Sequence, residues 1–472
     1  MLTRLHIRNF KRFQDVDIEL GDVVVLIGPN NAGKTSALQA LALWELGVRR
    51  WAEKLLGVKK TKGTPSTASA PSTASAKSRT GVAINRRDLL ALPIPDASLL
   101  WRDLHVREGA EQDGQRKTVN IRISIEVEGV TDGAAWSCAI EFDYANAESI
   151  YCRALPIEGG TAESVPDPAR QVRVAFLPPM SGLAAHEDRL ERGSIQVRLG
   201  EGRTADVLRN LCHLLAEQAP DQWDVLVKRI EALFGVTIEA PDYVAERGEV
   251  VMSYRDERGI RLDLSAAGRG LQQTLLLLAY ILGNPGSVLL LDEPDAHLEI
   301  LRQRQIYAAI SELARDKGCQ VIAASHSEVI LNEAAKRDVL IAFVGKPHRL
   351  GDRGSQVAKA LGLLGFEQYY LAESVGWVLY LEGSTDLAIL QAFAHTLKHA
   401  AASTLEQPFV QYIANQPQQA REHFYGLAEA KPDLVGIILT DRLDYITQLD
   451  WQPGQDPAIV GAEVRRQLNI NP

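Results

Sequence analysis

The sequence lacks what a membrane protein, a secreted protein or a zinc-knuckle protein would need. Its longest uninterrupted apolar stretch, Leu275 to Leu282, is far shorter than the roughly 18 residues of a membrane-crossing helix. Cysteine occurs only as Cys138, Cys152, Cys212 and Cys319, with no CxxC pair. Neither a zinc site nor a disulfide framework is expected, and reduced thiols fit a cytoplasmic setting. The opening residues MLTRLHIRNFKRF have no apolar core and no small-residue cleavage site, so no signal peptide is expected. Positive charge is in deficit: 51 Lys and Arg face 60 Asp and Glu, a formal charge of −9. That argues against a uniformly basic nucleic-acid binder but leaves a local basic face open, because phosphate binding depends on local charge. Arg4, Arg8, Lys11 and Arg12 cluster in this way, and they read equally as the solvated side of an edge strand.

What is present is an ordinary globular composition, 46% hydrophobic and 24% charged, over 472 residues. At roughly 100–200 residues per domain this allows two to four domains. LTRLHIRNF, VDIEL and VVVLI read as strands, and a helix follows from about Thr35 to Arg50. Residues 59–80 are rich in Ser, Thr, Ala and Pro, and repeat PSTASA from Pro65 and again from Pro71. With few large apolar residues they are expected to be a disordered insertion. TVNIRISIEVEGV and AAWSCAIEFDY, joined by TDG, predict a hairpin. Residues 203–234 read as helical with a break near Pro220. SVLLLDEP and QVIAASHS are short buried strands joined by a helix from Glu299 to Lys317, the pattern of a parallel sheet. A second strand–helix alternation begins at WVLYLEG. The expected organisation is a first α/β domain over 1–345, a connecting segment 346–375 and a smaller α/β domain over 376–472.

Gly28-Pro29-Asn30-Asn31-Ala32-Gly33-Lys34-Thr35 fits GxxxxGK[ST] between a buried strand and a helix. Glycines let backbone N–H groups curl around phosphates, and the helix N-terminus adds its dipole. Lys34 would reach the β- and γ-phosphates, Thr35 would offer its hydroxyl to Mg²⁺, and Asn30, Asn31 and Ser36 complete the loop. Asp292, ending the strand Val288–Leu291, would hold Mg²⁺ through water, and Glu293 would orient or deprotonate the attacking water. His326, after the next strand, is placed to donate to the γ-phosphate. Leu264-Ser265-Ala266-Ala267-Gly268 opens a strongly apolar helix and is a second anion-type helix start. Two such starts but one phosphate loop fit a two-fold dimer in which each Ser265 turn closes over the other subunit's ATP.

The order of phosphate loop, LSxxG-type signature, LLLLDEPDAH and ASHS resembles the ATP-binding cassette head of transporters, SMC proteins and DNA-repair ATPases. The resemblance makes Ser265 and Gly268 signature residues, Asp295-Ala296-His297 the D-loop and His326 the switch histidine. It places no Q-loop glutamine. The signature departs from LSGGQ, and no long heptad arm separates the two halves. In the C-terminal part, Leu381-Glu382-Gly383-Ser384-Thr385-Asp386 and Leu439-Thr440-Asp441-Arg442-Leu443-Asp444 end strands in acids. Such carboxylates can share divalent cations, and two metals can drive phosphodiester cleavage. This portion resembles the Toprim domain, and cassette plus Toprim resembles the OLD (overcoming lysogenization defect) family of ATP-dependent nucleases.

The fold so implied is α/β: an ABC-type P-loop head with a mixed sheet and an inserted antiparallel β/helical lobe, then a small Toprim-like domain. The resemblance implies ATP and Mg²⁺ as cofactors, with Mn²⁺ an option at the Toprim acids Glu382, Asp386, Asp441 and Asp444. Glu382 and Asp441 would act there beside the ATPase pair Glu293 and His326. Partners would be DNA, a second copy or higher homo-oligomer through the heads, and a separate effector protein, without a membrane. The second acid of DxD falls on Leu443 and the acid appears at Asp444. The 28 residues after it are read as polar, irregular and truncated. Two outputs therefore stand side by side: a defence nuclease acting on phage or mobile DNA, and an ATP switch with an inactive Toprim remnant. A transporter subunit does not fit the altered signature or the fused C-terminal domain.

Overall fold

The computed structural model describes residues 1–61, 81–112, 115–156, 165–183, 186–335, 337–350, 365–414, 416–431 and 433–440. They fall into two compact units divided between Gly354 and Ser355.

The first unit is organised around a six-stranded sheet. Its order is Val174–Leu177, Val288–Asp292, Gln320–Ser325, Val23–Ile27, Val339–Ala342 and His348–Arg349. The first five strands are parallel and the last is antiparallel. Val23–Ile27, Val288–Asp292 and Gln320–Ser325 are buried at every position. Continuous burial is why their sequences run apolar rather than alternate. The other sheet is antiparallel and also six-stranded, in the order Phe13–Glu19, Leu2–Phe10, Ile123–Thr131, Ala134–Asn146, Ser149–Ala154 and Val82–Asn85. Here burial alternates, as in the pattern of Ile123–Thr131.

The helix Lys34–Thr61 joins the two sheets. Leu38, Leu41, Trp44 and Trp51 share one core with Ile125, Ile140 and Phe142 of the antiparallel sheet and Leu290 and Ile322 of the parallel one. Trp44 is fully buried, and its indole N–H donates to the Cys138 carbonyl at 2.9 Å. The buried Gln320 ties the sheets directly. Its Oε1 accepts from the Leu2 N–H at 2.8 Å, and its Nε2 donates to the carbonyls of Leu2 and Gly21 at 2.7 and 2.8 Å.

Several sequence expectations are corrected in detail. The first helix runs eleven residues past Arg50, to Thr61, so residues 59–61 of the supposed insertion are helical and the rest of it lies outside the described residues. The stretch 118–130 is two strands. Gln115–Asn120 pairs with Arg107–Gln112, and Ile123–Thr131 pairs with Ala134–Asn146 through a two-residue turn. Asp132 and Gly133 both have positive φ there, 51° and 79°, which matches the twist of the flanking strands. Leu2–Phe10 is an interior strand, not an edge. Its basic cluster is neutralised across the sheet: Arg4 pairs with Asp17 and Glu128, and Arg8 with Asp15.

The helical lobe contains Leu208–Gln218, Pro220–Phe234 and Arg269–Gly283. Pro220 opens the second helix, where its missing N–H costs nothing. Arg269–Gly283 is buried from Leu271 to Leu282, which accounts for its being apolar on all sides.

The second unit has a parallel three-stranded sheet, ordered Val410–Tyr412, Trp377–Leu381, Val435–Ile438. The helices Ser384–Thr396 and Pro417–Ala430 connect its strands. The helix Phe366–Val375, within the segment read as a connection, packs Ala372 into this unit's core with Val378, Tyr380, Phe409 and Leu427. No helix among the described residues is long and apolar enough to cross a membrane.

Candidate functional site

Three neighbouring parallel strands bring the predicted nucleotide residues together. Val23–Ile27 delivers the loop Gly28–Thr35, Gln320–Ser325 beside it delivers His326, and Val288–Asp292 beyond delivers Asp292 and Glu293. The glycines are needed for different reasons. Gly33 sits at φ 107°, and a Cβ there would meet Arg12 Cδ at 2.7 Å and Phe13 Cζ at 2.8 Å. A Cβ on Gly28 would meet the Phe343 carbonyl oxygen at 2.9 Å. Asn31, at φ 61°, supplies the left-handed residue that turns the loop. The helix begins at Lys34, so the N–H groups of Lys34, Thr35 and Ser36 have no carbonyl four residues back and face the loop as anion donors.

Lys34 is buried, and its Nζ donates to the carbonyls of Gly28 at 2.7 Å and Pro29 at 2.9 Å. Burial holds its pKa below the usual lysine value, opposed by the charges of Glu293, Asp292 and Asp295. Thr35 Oγ1 donates to both oxygens of Asp292, at 3.0 and 2.9 Å, bridging two strands that are not adjacent. Burial pushes the Asp292 carboxyl up to about 6, against the Thr35 hydrogen bond. A hydroxyl and a carboxylate converging beside a lysine are the hard oxygen donors Mg²⁺ prefers, so this set fits Mg²⁺ with ATP. Glu293 stands at φ 50°, its N–H bonded to the Ala324 carbonyl at 2.8 Å. That strained turn points its carboxylate to His326 Nδ1, 3.7 Å away.

Ser265 and Gly268 head the helix Arg269–Gly283, with Gly268 as its N-cap. Asp263 accepts from the Ser265 N–H at 2.8 Å and from Arg209 at 3.2 Å. Gln273, one turn into that helix, donates to the Pro294 carbonyl at 3.4 Å and so touches the segment after Glu293. Asp295 is buried, its pKa is raised mainly by desolvation, and its Oδ1 has no hydrogen-bond partner. Arg12 is exposed, as the surface cluster suggested, and its stem also lies where a Cβ on Gly33 would fall. Its only sequence signal was charge beside a strand end, which many surface residues share.

Two family models match the chain. One, described as "AAA ATPase domain", covers residues 1–44, and the other, "AAA domain, putative AbiEii toxin, Type IV TA system", covers residues 181–332. Both matched stretches fall within the first unit, and both models describe an AAA-type ATPase domain. An OLD nuclease of Thermus scotoductus is 46% identical over 43 residues, which is 9% of this chain and 8% of that relative. Among solved structures, the SMC head domain of Thermotoga maritima aligns with 74% of this chain and 98% of its own, at 14% identity and a TM-score of 0.35. An Smc head from Pyrococcus furiosus, with an extended coiled coil and bound to a ScpA domain, aligns with 78% and 99%, at 12% identity and a TM-score of 0.41.

The second-unit acids are placed less completely. Glu382 follows the central strand Trp377–Leu381 directly. The neighbouring strand pairs Tyr380 with Ile438, and Leu439 N–H donates to the Tyr380 carbonyl at 2.9 Å, so the two chains run side by side there. Asp441 and Asp444 lie outside the described residues. Asp386 instead accepts from the Gly383 N–H at 2.9 Å and caps the helix Ser384–Thr396. Among the described residues no three His, Cys, Asp or Glu gather as a metal site.

Proposed function

We propose that this chain is an OLD-type, ATP-driven DNA nuclease of the cytoplasm, active against phage or other mobile DNA. The observation that carries the ATP half is the Thr35–Asp292 bridge beside Lys34, with Glu293 and His326 at the ends of the same sheet. Mg²⁺ with ATP would supply charge neutralisation at the phosphates. The loop amides and Lys34 bind and orient the phosphates, Thr35 and Asp292 hold the cation, and Glu293 takes a proton from the attacking water. His326 keeps Glu293 in place and donates toward the γ-phosphate. No hydrogen bond joins Ser265 or Gly268 to their own chain's phosphate loop among the described residues. This supports a homodimer, or a higher homo-oligomer, in which each signature turn serves the partner's nucleotide.

The nuclease half is supported by the parallel adjacency of the strands leading to Glu382 and Asp441. The role of Asp386 as a helix cap favours the second reading, an ATP switch that hands cleavage to a separate effector. Plasmid cleavage with Mg²⁺ or Mn²⁺, with and without ATP, separates the two. Cleavage that Glu382→Ala abolishes is the expected result. Intact ATP hydrolysis with no cleavage under either metal would leave the switch.

A further inference from the structure

At the other end of the central sheet from Lys34, the first unit encloses a cavity of about 660 Å³. That is the size of sites that bury a small organic ligand. The strand starts at Val174 and Ser287 line it, as do the later turns of the two helices that begin at the phosphate loop and at the signature turn, through Leu46 and Tyr280. Apolar side chains such as Leu89, Val174 and Phe176 line it together with Arg49, Arg170, Arg173 and Arg192 and two acids, Glu45 and Asp88. Asp88 is already engaged by Arg50 at 2.8 Å, and burial drives the Glu45 carboxyl toward its neutral form. Arg170 is held by Asp167, Arg192 donates to Gln218, the Arg49 charge faces Glu45, and the Arg173 side chain enters no hydrogen bond or ion pair among the described residues. Four guanidinium groups and two carboxyls line the cavity, a local excess of positive charge in a chain of net charge −9. One wall is fixed, because the Gly200 Cα lies so close to the Leu90 backbone that a Cβ would fall 1.9 Å from its carbonyl oxygen. Beyond Arg49 the cavity continues into a shallower cleft of about 810 Å³ that carries Arg50, Arg87, Arg198 and Arg203.

We infer that this cavity binds a nucleoside phosphate and is a second nucleotide site of the head, separate from the phosphate loop. Guanidinium forks bind phosphate oxygens in pairs and stack on flat rings, and an apolar lining accepts a base. A free nucleotide and the phosphorylated end of a DNA strand offer the same chemistry. Because the ligand would touch the later turns of both helices, its occupancy would bias the spacing of phosphate loop and signature turn and change ATP turnover.

The test is calorimetric titration of the full chain with AMP and with 5′-phosphorylated hexathymidylate, without ATP or divalent metal, and so independent of nuclease activity. At least one probe is expected to bind wild type and Lys34→Ala alike, and about tenfold or more weakly to Arg49→Glu/Arg173→Glu. Arg49→Lys/Arg173→Lys should fall between, keeping charge but losing the forks. Preference for AMP identifies a free nucleotide, and preference for the oligonucleotide a strand end. Thermal melting shows whether each variant is folded. Binding that a folded double-Glu variant keeps at full strength overturns the inference, as does no binding of either probe to wild type at about 1 mM.

Discussion

Lys34 and Asp292 show how burial sets chemistry one residue at a time. Lys34 spends its buried amino group on two loop carbonyls, an arrangement whose purpose is a phosphate. Lys34→Ala is expected to abolish ATP hydrolysis, and full turnover in a phosphate-release assay would remove this loop from the active site. Asp292 makes a different prediction. Its folded pKa, about 6, lies above the ordinary carboxyl value of 3.8, so the folded chain holds this proton to higher pH than the unfolded chain does. Stability therefore falls as pH rises from about 4 to 6, and the full penalty stands above that window. Without nucleotide or metal, Asp292→Asn should raise the unfolding free energy by about 3 kcal/mol at pH 8. The gain should fade as the pH drops through the window. Urea titrations at several pH values would show it, and a pH-independent difference would refute the assignment.

At the scale of elements, two contacts decide how the helical lobe meets the rest of the head. Arg209, almost fully buried, lies between Glu187 at 3.9 Å and Asp263 at 3.2 Å. Glu187 accepts the N–H groups that open the helix Leu208–Gln218, and Asp263 accepts the N–H of Ser265. One guanidinium thus fastens the signature turn to the lobe. Arg209→Ala removes the cation beside the buried Glu187, which keeps its N–H donors, and should cost about 3 kcal/mol in urea unfolding. Gly200→Ala should cost about 1–3 kcal/mol, because the Leu90 backbone cannot step aside as a side chain can. Neither contact was legible in the sequence, since each depends on residues brought together only by the fold. The elements themselves were legible where periodicity is strong. VVVLI, VLLLD and QVIAAS read as buried parallel strands, and TDG set the hairpin between Thr131 and Ala134. The phosphate loop was legible because its residues are consecutive. The break at Ile121 and Arg122 was not, because its alternation continues from one sheet to the next. The role of Asp386 was not legible for a simpler reason: an acid three residues into a helix looks the same whether it caps the backbone or awaits a metal.

At the scale of the whole molecule, no hydrogen bond among the described residues joins the Ser265 turn of one copy to its own phosphate loop. The phosphate loop, the proposed cation pair Thr35 and Asp292, and Glu293 lie at the carboxyl ends of one sheet, while Ser265 is held by Asp263 just ahead of a separate helix. Close beyond Glu293, Ile300 and Leu301 are 70% and 76% exposed, an apolar pair at the start of the helix Ile300–Asp316. Burying two such side chains against a second copy would contribute a few kcal/mol, at roughly 1.5–3 kcal/mol each. An ATP-dependent dimer would satisfy both features at once, with the signature turn supplied across the interface and the apolar pair covered. Glu293→Gln should stop hydrolysis while keeping ATP bound, so the closed form accumulates. Multi-angle light scattering is expected to show this variant doubling in mass with ATP and Mg²⁺. Adding Ile300→Asp and Leu301→Asp should return it to the single-chain mass while Lys34 and Thr35 still bind nucleotide. A Glu293→Gln protein of the same mass with and without ATP would mean that Ser265 does not act across subunits, and that hydrolysis must be completed within one chain.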